Sequence, residues 1–236
     1  RSVHSGANNM GKKKIEKGGS SQRGCSSQRG SSSQRGNFNR SGPQRVLLIR
    51  HGESESNATR MDIPDPLLTE LGRVQAAGWK GMVVGFGAEV VLVSPLRRAI
   101  ETALLAYEGV NVPVEICRHA RELWWKEKTN TPSTTEVIEE LLLRLPGGPD
   151  VCGVQDALAE SADSPRSEHA SIDALKATLS DRPEACVAVV CHWGVINALC
   201  GDSADNGGLV ECVRSPKSGE LTAVKQHRPP NAPRTR

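Results

Sequence analysis

Aromatic residues make up only 3% of the chain: four Trp, two Phe and one Tyr among 236 residues. So few rings argue against a base-stacking nucleic-acid platform and against an aromatic-rich sandwich core. Apolar residues reach 37%, so the core has to be drawn from Val, Leu, Ile and Ala, which suits buried parallel strands. The seven cysteines include no Cys-x-x-Cys pair, which removes zinc-ribbon and thioredoxin-like readings. Several of them sit in apolar runs, as free thiols do in a reducing compartment. No apolar run has membrane-spanning length, and no secretory signal is visible. The chain opens on Arg1 rather than Met, which leaves targeting open. A Gly-x-Ser-x-Gly nucleophile elbow is absent, as is a Gly-x-x-x-x-Gly-Lys phosphate loop.

What is present divides unevenly. Residues 1–44 carry nine Lys/Arg against one acid, Glu16, although the whole chain is only +3. The remainder is therefore mildly acidic and gives no reason to expect a polyanionic partner. The first stretch holds Lys12-Lys13-Lys14 and then a six-residue repeat. Ser20-Ser21-Gln22-Arg23-Gly24 returns at Ser26 and again at Ser32. Such a composition buries too little surface to offset ordering, so residues 1–43 are expected to be a disordered basic tail. Three roles compete for it: weak polyanion contact, a transit-peptide remnant, or none. The expected location is cytoplasmic, or an organelle if the tail is a transit peptide. A second frayed segment is expected at 228–236, which holds three prolines.

Between the tails, residues 44–227 read as one α/β domain. Val46-Leu47-Leu48-Ile49 is a buried strand, and further strands are expected at 89–93, 112–117 and 184–191. The last is the longest apolar run and should be central. Residues 209–213 and 220–224 read as a hairpin with an antiparallel edge. Thr69 is expected to cap a helix to about residue 80. Ser94 and Pro95 fit the cap and first position of another, running from 96 to 107. Ser133-x-x-Glu136 reads as a capping box, with Val137, Ile138, Leu141, Leu142 and Leu145 as the apolar face behind it. Helices are also expected at 171–180 and 195–199. The architecture expected is a three-layer α/β/α sandwich with a mostly parallel, Rossmann-like sheet.

The chemistry gathers at strand ends. Arg50-His51-Gly52 follows the first strand, and His192-Trp193-Gly194 follows the fourth. Open α/β sheets bind ligands at these carboxyl ends. Gly52 is expected to let the backbone turn there. Arg97 and Arg98 lie in the first turns of a helix, where the dipole disfavours cations unless an anion is bound. The two histidines lack the partners of a zinc site, and neither a metal nor a cofactor is expected. Guanidinium groups around imidazoles suit phosphoryl oxygens, and neutral imidazole can attack phosphorus. Trp124-Trp125 is either a pocket wall or a cover over helix packing.

These segments resemble the histidine phosphatase superfamily, which includes phosphoglycerate mutase-like proteins. The likeness rests on Arg50-His51-Gly52-Glu53-Ser54 with Asn57, on Leu68-Thr69-Glu70-Leu71-Gly72, on Ser94-Pro95-Leu96-Arg97-Arg98-Ala99-Ile100-Glu101-Thr102, and on His192-Trp193-Gly194. It covers about residues 45–200. The resemblance implies His51 as phosphorylated nucleophile. It implies Arg50, Arg98, His192 and Asn57 as the phosphate pocket. It also implies an acid after the third strand, for which Arg121-Glu122-Leu123 offers Glu122. The residue after the second histidine is more often small than Trp.

The family's mutases carry aromatics just after the Arg-His-Gly-Glu-Ser stretch that are missing at Glu55-Ser56-Asn57-Ala58-Thr59. The preferred expectation is metal-independent phosphomonoester hydrolysis on a phosphorylated metabolite or phosphoprotein. Mutase-type transfer and a non-catalytic binding protein remain the alternatives. No membrane partner is expected, and the oligomeric state is left open.

Overall fold

The computed structural model describes residues 43–123, 128–159 and 168–230. The basic tail, Trp124-Trp125 and the end of the chain beyond 230 lie outside the described residues. Strand β1 (Gln44–Arg50) contains the four-residue apolar run, and each of Val46, Leu47, Leu48 and Ile49 is fully buried. The run is unbroken because both sheet faces are covered. Val46 and Leu48 point into one core, Leu47 and Ile49 into the other. Each such side chain contributes roughly 1.5–3 kcal/mol through burial.

Strands β2 (Val90–Val93), β3 (Val114–Ile116) and β4 (Cys186–Cys191) follow the same logic. With β5 (Leu209–Arg214) and β6 (Leu221–His227) they form one sheet of order β3-β2-β4-β1-β5-β6. β4 lies between β2 and β1, parallel to both, so the longest apolar run is central as expected. β5 pairs antiparallel with β1, and β6 closes the edge antiparallel to β5. The mostly parallel α/β/α architecture is therefore present.

Helices α2 (Glu70–Ala77), α3 (Arg97–Ala106), α4 (Thr135–Arg144) and α5 (Val154–Ala159) precede β4 in the chain. The core on one face takes Ala99, Ile100 and Ala103 from α3, Ile138 and Leu142 from α4, and Val154, Ala157 and Leu158 from α5. Helices α6 (Glu168–Ser180) and α7 (Trp193–Cys200) supply Ile172, Leu175, Leu179, Val195, Ile196 and Leu199 to the other. Cys117, Cys186, Cys191 and Cys212 are buried free thiols, in keeping with their apolar settings. Among the described residues no helix is long and apolar enough to cross a membrane.

Local details depart from expectation where a distant group intervenes. Helix α3 starts at Arg97, and Ser94 is not its cap. Asp65, in the loop before α2 and 32 positions earlier in the chain, accepts the Arg97 N–H through Oδ1 at 3.0 Å. A carboxylate from another loop thus occupies the positive end of the helix. Similarly, Ser133 does not open a capping box. Helix α4 begins at Thr135 after Thr134, while the Ser133 N–H donates to Asp65 Oδ2 at 2.8 Å. Val137 stands 39% exposed, so the apolar face of α4 is narrower than its sequence suggests. The third strand shortens to three residues, and α2 stops at Ala77.

Gly52 is needed for a close approach rather than for a turn. A methyl built on it would overlap the Gly72 carbonyl oxygen, and one built on Gly72 would overlap the Glu53 carbonyl. Thr69 caps α2 by accepting the Gly72 N–H at 3.1 Å, which fixes this crossing. Gly72→Ala is expected to cost about 3 kcal/mol, because neither backbone can yield without moving the segment after β1. A urea titration reads this as a lower midpoint at unchanged slope.

Candidate active site

Four chain segments meet where β1 and β4 end. His51 leaves β1 with 4% of its surface exposed. Its Nδ1 lies 2.7 Å from the Gly52 carbonyl oxygen. A carbonyl only accepts, so the proton sits on Nδ1 and the lone pair on Nε2. Arg98 Nε donates to that Nε2 at 3.3 Å. Burial, then the Arg98 and Arg50 cations, push the His51 pKa well below its ordinary value, and the Gly52 carbonyl opposes them. The imidazole is therefore neutral at physiological pH.

His192 is fully buried and stands at the N-cap of α7. Its ring centroid lies 5.0 Å from that of His51, with the planes tilted by 57°. Its Nε2 shares a hydrogen bond of 2.8 Å with the Ser94 hydroxyl, while its Nδ1 is buried with no partner among the described residues. Burial lowers its pKa strongly, and Arg98, His51 and Arg50 add to the effect. Arg50 donates through Nη1 to the Ala204 carbonyl at 2.9 Å, and its Nε is likewise buried with no partner among the described residues. These two buried nitrogens, one of them in the Arg50 guanidinium, find no partner among the described residues, and with the Arg98 cation they are an unfilled polar demand. An oxyanion has the lone pairs and the charge to meet it.

Arg98 is 2% exposed. Burial presses its pKa down to about 10, so it remains a cation at neutral pH. Its neighbour Arg97 turns away and donates through Nε to the Asp65 carbonyl at 2.6 Å. Of the adjacent pair, Arg98 is the one facing the histidines. Thr102 accepts the Gly52 N–H at 3.0 Å and donates to the Arg98 carbonyl at 2.7 Å, tying the post-β1 turn to the arginine helix.

Glu122 lies between the end of β3 and α4. Its Oε1 accepts the N–H of Leu123 at 2.9 Å and of Gly194, in the first turn of α7, at 3.1 Å. Burial pushes this carboxyl up, and the Leu123 N–H, Arg98 and Arg50 pull it partly back. It therefore belongs to the same charged cluster as both arginines. Asn57 sits in α1 (Glu55–Thr59), where its Oδ1 accepts from the Ser54 backbone and hydroxyl.

Several residues of this site were not singled out from the sequence. Asn206 Nδ2 donates to the carbonyls of His51 and Gly52 and to Asn57 Oδ1, at 3.2–3.4 Å. The Gly207 N–H donates to the His51 carbonyl at 3.0 Å. The approach to β5 therefore latches the turn that carries His51. Ser94, read as a helix cap, instead anchors His192. Thr129 and Asn130 accept from Arg98. Asn206-Gly207-Gly208 signals a turn, but no local pattern links it to a histidine 155 residues away. Thr129 and Asn130 lie in a polar stretch without periodicity.

Known proteins resemble this chain in sequence and in fold. An adenosylcobalamin/alpha-ribazole phosphatase of Salmonella typhimurium is 35% identical over 101 residues. That match takes in 40% of this chain and only 50% of the relative, so the chain spans about half the length of the curated relative it matches. Among solved structures, a putative alpha-ribazole-5'-P phosphatase of Escherichia coli superposes with a TM-score of 0.55 at 22% identity. It covers 78% of this chain and 95% of its own. A mycobacterial glucosyl-3-phosphoglycerate phosphatase, solved as a complex with VO3, gives 0.51 at 18% identity, over 77% and 96%. At these identities the two structures speak for the fold alone. The sequence profile of the histidine phosphatase superfamily (branch 1) matches residues 46–207, well over half of the chain, and the protein belongs to that family.

Proposed function

We propose that the protein hydrolyses phosphomonoesters without a metal, through a phosphohistidine at His51. The observation that carries this reading is the orientation of His51. Nδ1 is held by the Gly52 carbonyl, and the Nε2 lone pair faces the guanidinium cluster. In the first step Nε2 attacks phosphorus and the ester P–O bond breaks. The leaving oxygen takes the proton of the Glu122 carboxyl. In the second step the Glu122 carboxylate removes a proton from water, whose oxygen attacks phosphorus. The P–N bond breaks and His51 recovers its lone pair. Arg50, Arg98 and His192 hold the non-bridging oxygens throughout, which supplies electrostatic stabilisation where charge develops. Asn57 adds a contact through its amide, since its Oδ1 is already committed to Ser54 and Asn206.

The substrate reading is a small phosphorylated metabolite. The compounds in the names of its relatives, alpha-ribazole phosphate and glucosyl-3-phosphoglycerate, head the list to screen. Turnover of p-nitrophenyl phosphate is expected to persist in EDTA and to be inhibited competitively by vanadate. Loss of turnover in EDTA, restored by a divalent cation, would overturn the metal-free step.

A further inference from the structure

Among the described residues, Arg98 gives three of its five N–H donors to protein atoms: Nε to His51 Nε2 at 3.3 Å, Nη1 to the Thr129 carbonyl at 2.8 Å, and Nη2 to Asn130 Oδ1 at 2.9 Å. The last two acceptors come from residues 128–133, more than thirty positions along the chain. Nothing in the fold of α3 itself dictates this orientation. A guanidinium on a long flexible stem would otherwise sample several rotamers.

The segment is itself fixed at both ends. The Thr129 N–H and hydroxyl both donate to Asp62 Oδ1, at 2.8 and 2.7 Å. The Thr129 hydroxyl also lies 3.2 Å from that of Ser56. The Asp65 N–H donates to the Lys128 carbonyl at 3.1 Å, and the Ser133 N–H donates to Asp65 Oδ2 at 2.8 Å. Asp65 in turn accepts the Arg97 N–H at the start of α3. The loop before α2, the start of α3 and residues 128–133 thus form one braced unit, and Arg98 is the side chain it aims. Thr129 is 6% exposed, so water does not compete freely for its carbonyl.

We propose, on the basis of the phosphoryl-transfer reading above, that Asn130 is a positioning residue. Its Oδ1, together with the Thr129 carbonyl, holds the Arg98 guanidinium beside His51, where Nε–H rests on His51 Nε2 until a phosphoryl group takes that lone pair. The two remaining N–H groups, and Nε–H once His51 Nε2 attacks, are left for the non-bridging oxygens of the substrate. Arg98 touches the phosphoryl group, and Asn130 acts through it. The neutral amide suits this place better than a carboxylate. It supplies an acceptor oxygen without cancelling the positive charge that attracts a phosphate dianion. Misplacement of a charge-stabilising group by an ångström is enough to slow the chemical step substantially.

The test compares Asn130→Ala with Asn130→Asp on p-nitrophenyl phosphate, with His51→Ala run in parallel. Asn130→Ala is expected to lower kcat by about tenfold or more, because Arg98 loses its lateral stop. Asn130→Asp keeps the acceptor oxygen. It is expected to hold kcat within about threefold of the parent while raising KM by about tenfold, since the added charge opposes the dianion. A residue that merely shaped the segment would show no such split. Unchanged kcat in Asn130→Ala would overturn the proposal, as would an equal fall of kcat in both variants.

His51→Ala separates the two readings. If it is inactive while Asn130→Ala equals the parent, the phosphatase stands and the positioning role falls. If the parent itself does not turn over, calorimetric binding of tungstate decides. A loss of about tenfold in affinity for Asn130→Ala supports the role, and equal affinity overturns it.

Discussion

His51→Ala is expected to lower kcat for p-nitrophenyl phosphate by a factor on the order of 10⁴ or more, as removal of a covalent nucleophile does elsewhere. The expectation follows from geometry rather than from residue type. Only one His51 nitrogen has its lone pair directed at the arginines, because the Gly52 carbonyl claims the proton of the other. His192 Nε2 is tied to Ser94, and its Nδ1 is the nitrogen proposed to hold a phosphoryl oxygen. The fold should survive the change, since the backbone of the turn is latched by Asn206 and Gly207. An unaltered melting temperature with lost turnover is the outcome to check. Turnover within tenfold of the parent would remove His51 from the nucleophile's place.

Glu122→Gln should produce the second largest effect, and one that depends on the leaving group. For an alkyl phosphate, loss of the acid is expected to cost about 10²–10⁴ in rate. For p-nitrophenyl phosphate the first step loses little, because nitrophenolate departs without a proton, and the second step becomes limiting. The pH dependence follows from the two shifts. His51 must be neutral, and burial with the two arginines lowers its pKa, so the acid limb moves to lower pH. Glu122 must carry a proton, and burial raises its pKa, so the alkaline limb moves to higher pH. The shifts bring the two groups toward one another. More of the enzyme then holds neutral His51 with protonated Glu122 than their ordinary values would allow. Rates on an alkyl phosphate should fall below the His51 pKa and again above that of Glu122. Glu122→Gln should abolish the second fall and leave the first. An alkaline limb that persists in Glu122→Gln would assign the acid to another group.

The frame of this site was legible because its parts end buried strands. The run at Val46 to Ile49 has to be covered on both faces, so the Arg50-His51 pair had to emerge at the carboxyl end of the strand, where open sheets bind ligands. The run at Val187 to Cys191 did the same for His192. Arg98 was readable as one of two arginines at an unfavourable helix end, but the sequence could not say which. The choice is made in space, where Asp65 and the Pro64 carbonyl draw Arg97 aside. The Asp65 carboxylate takes the Arg97 N–H that a cap at Ser94 would serve, and the serine hydroxyl instead joins the Leu96 N–H to His192 Nε2. Gly72 was recognisable as part of a Leu-Thr-x-x-Gly segment, yet its reason, contact with the Glu53 carbonyl, belongs to the folded chain. The Thr129–Asn130 brace left no local pattern at all, because its bonds run to side chains that are distant in sequence.

The most direct test of the account uses the variant that should stall halfway. Glu122→Gln is mixed with p-nitrophenyl phosphate, denatured in alkali to preserve phosphohistidine, and digested for peptide mapping. The account predicts a phosphoryl group on His51, formed with a burst of nitrophenol and absent when His51 is also replaced by alanine. Continued release of nitrophenol with no phosphoryl group on His51, or with the group on another residue, would contradict it.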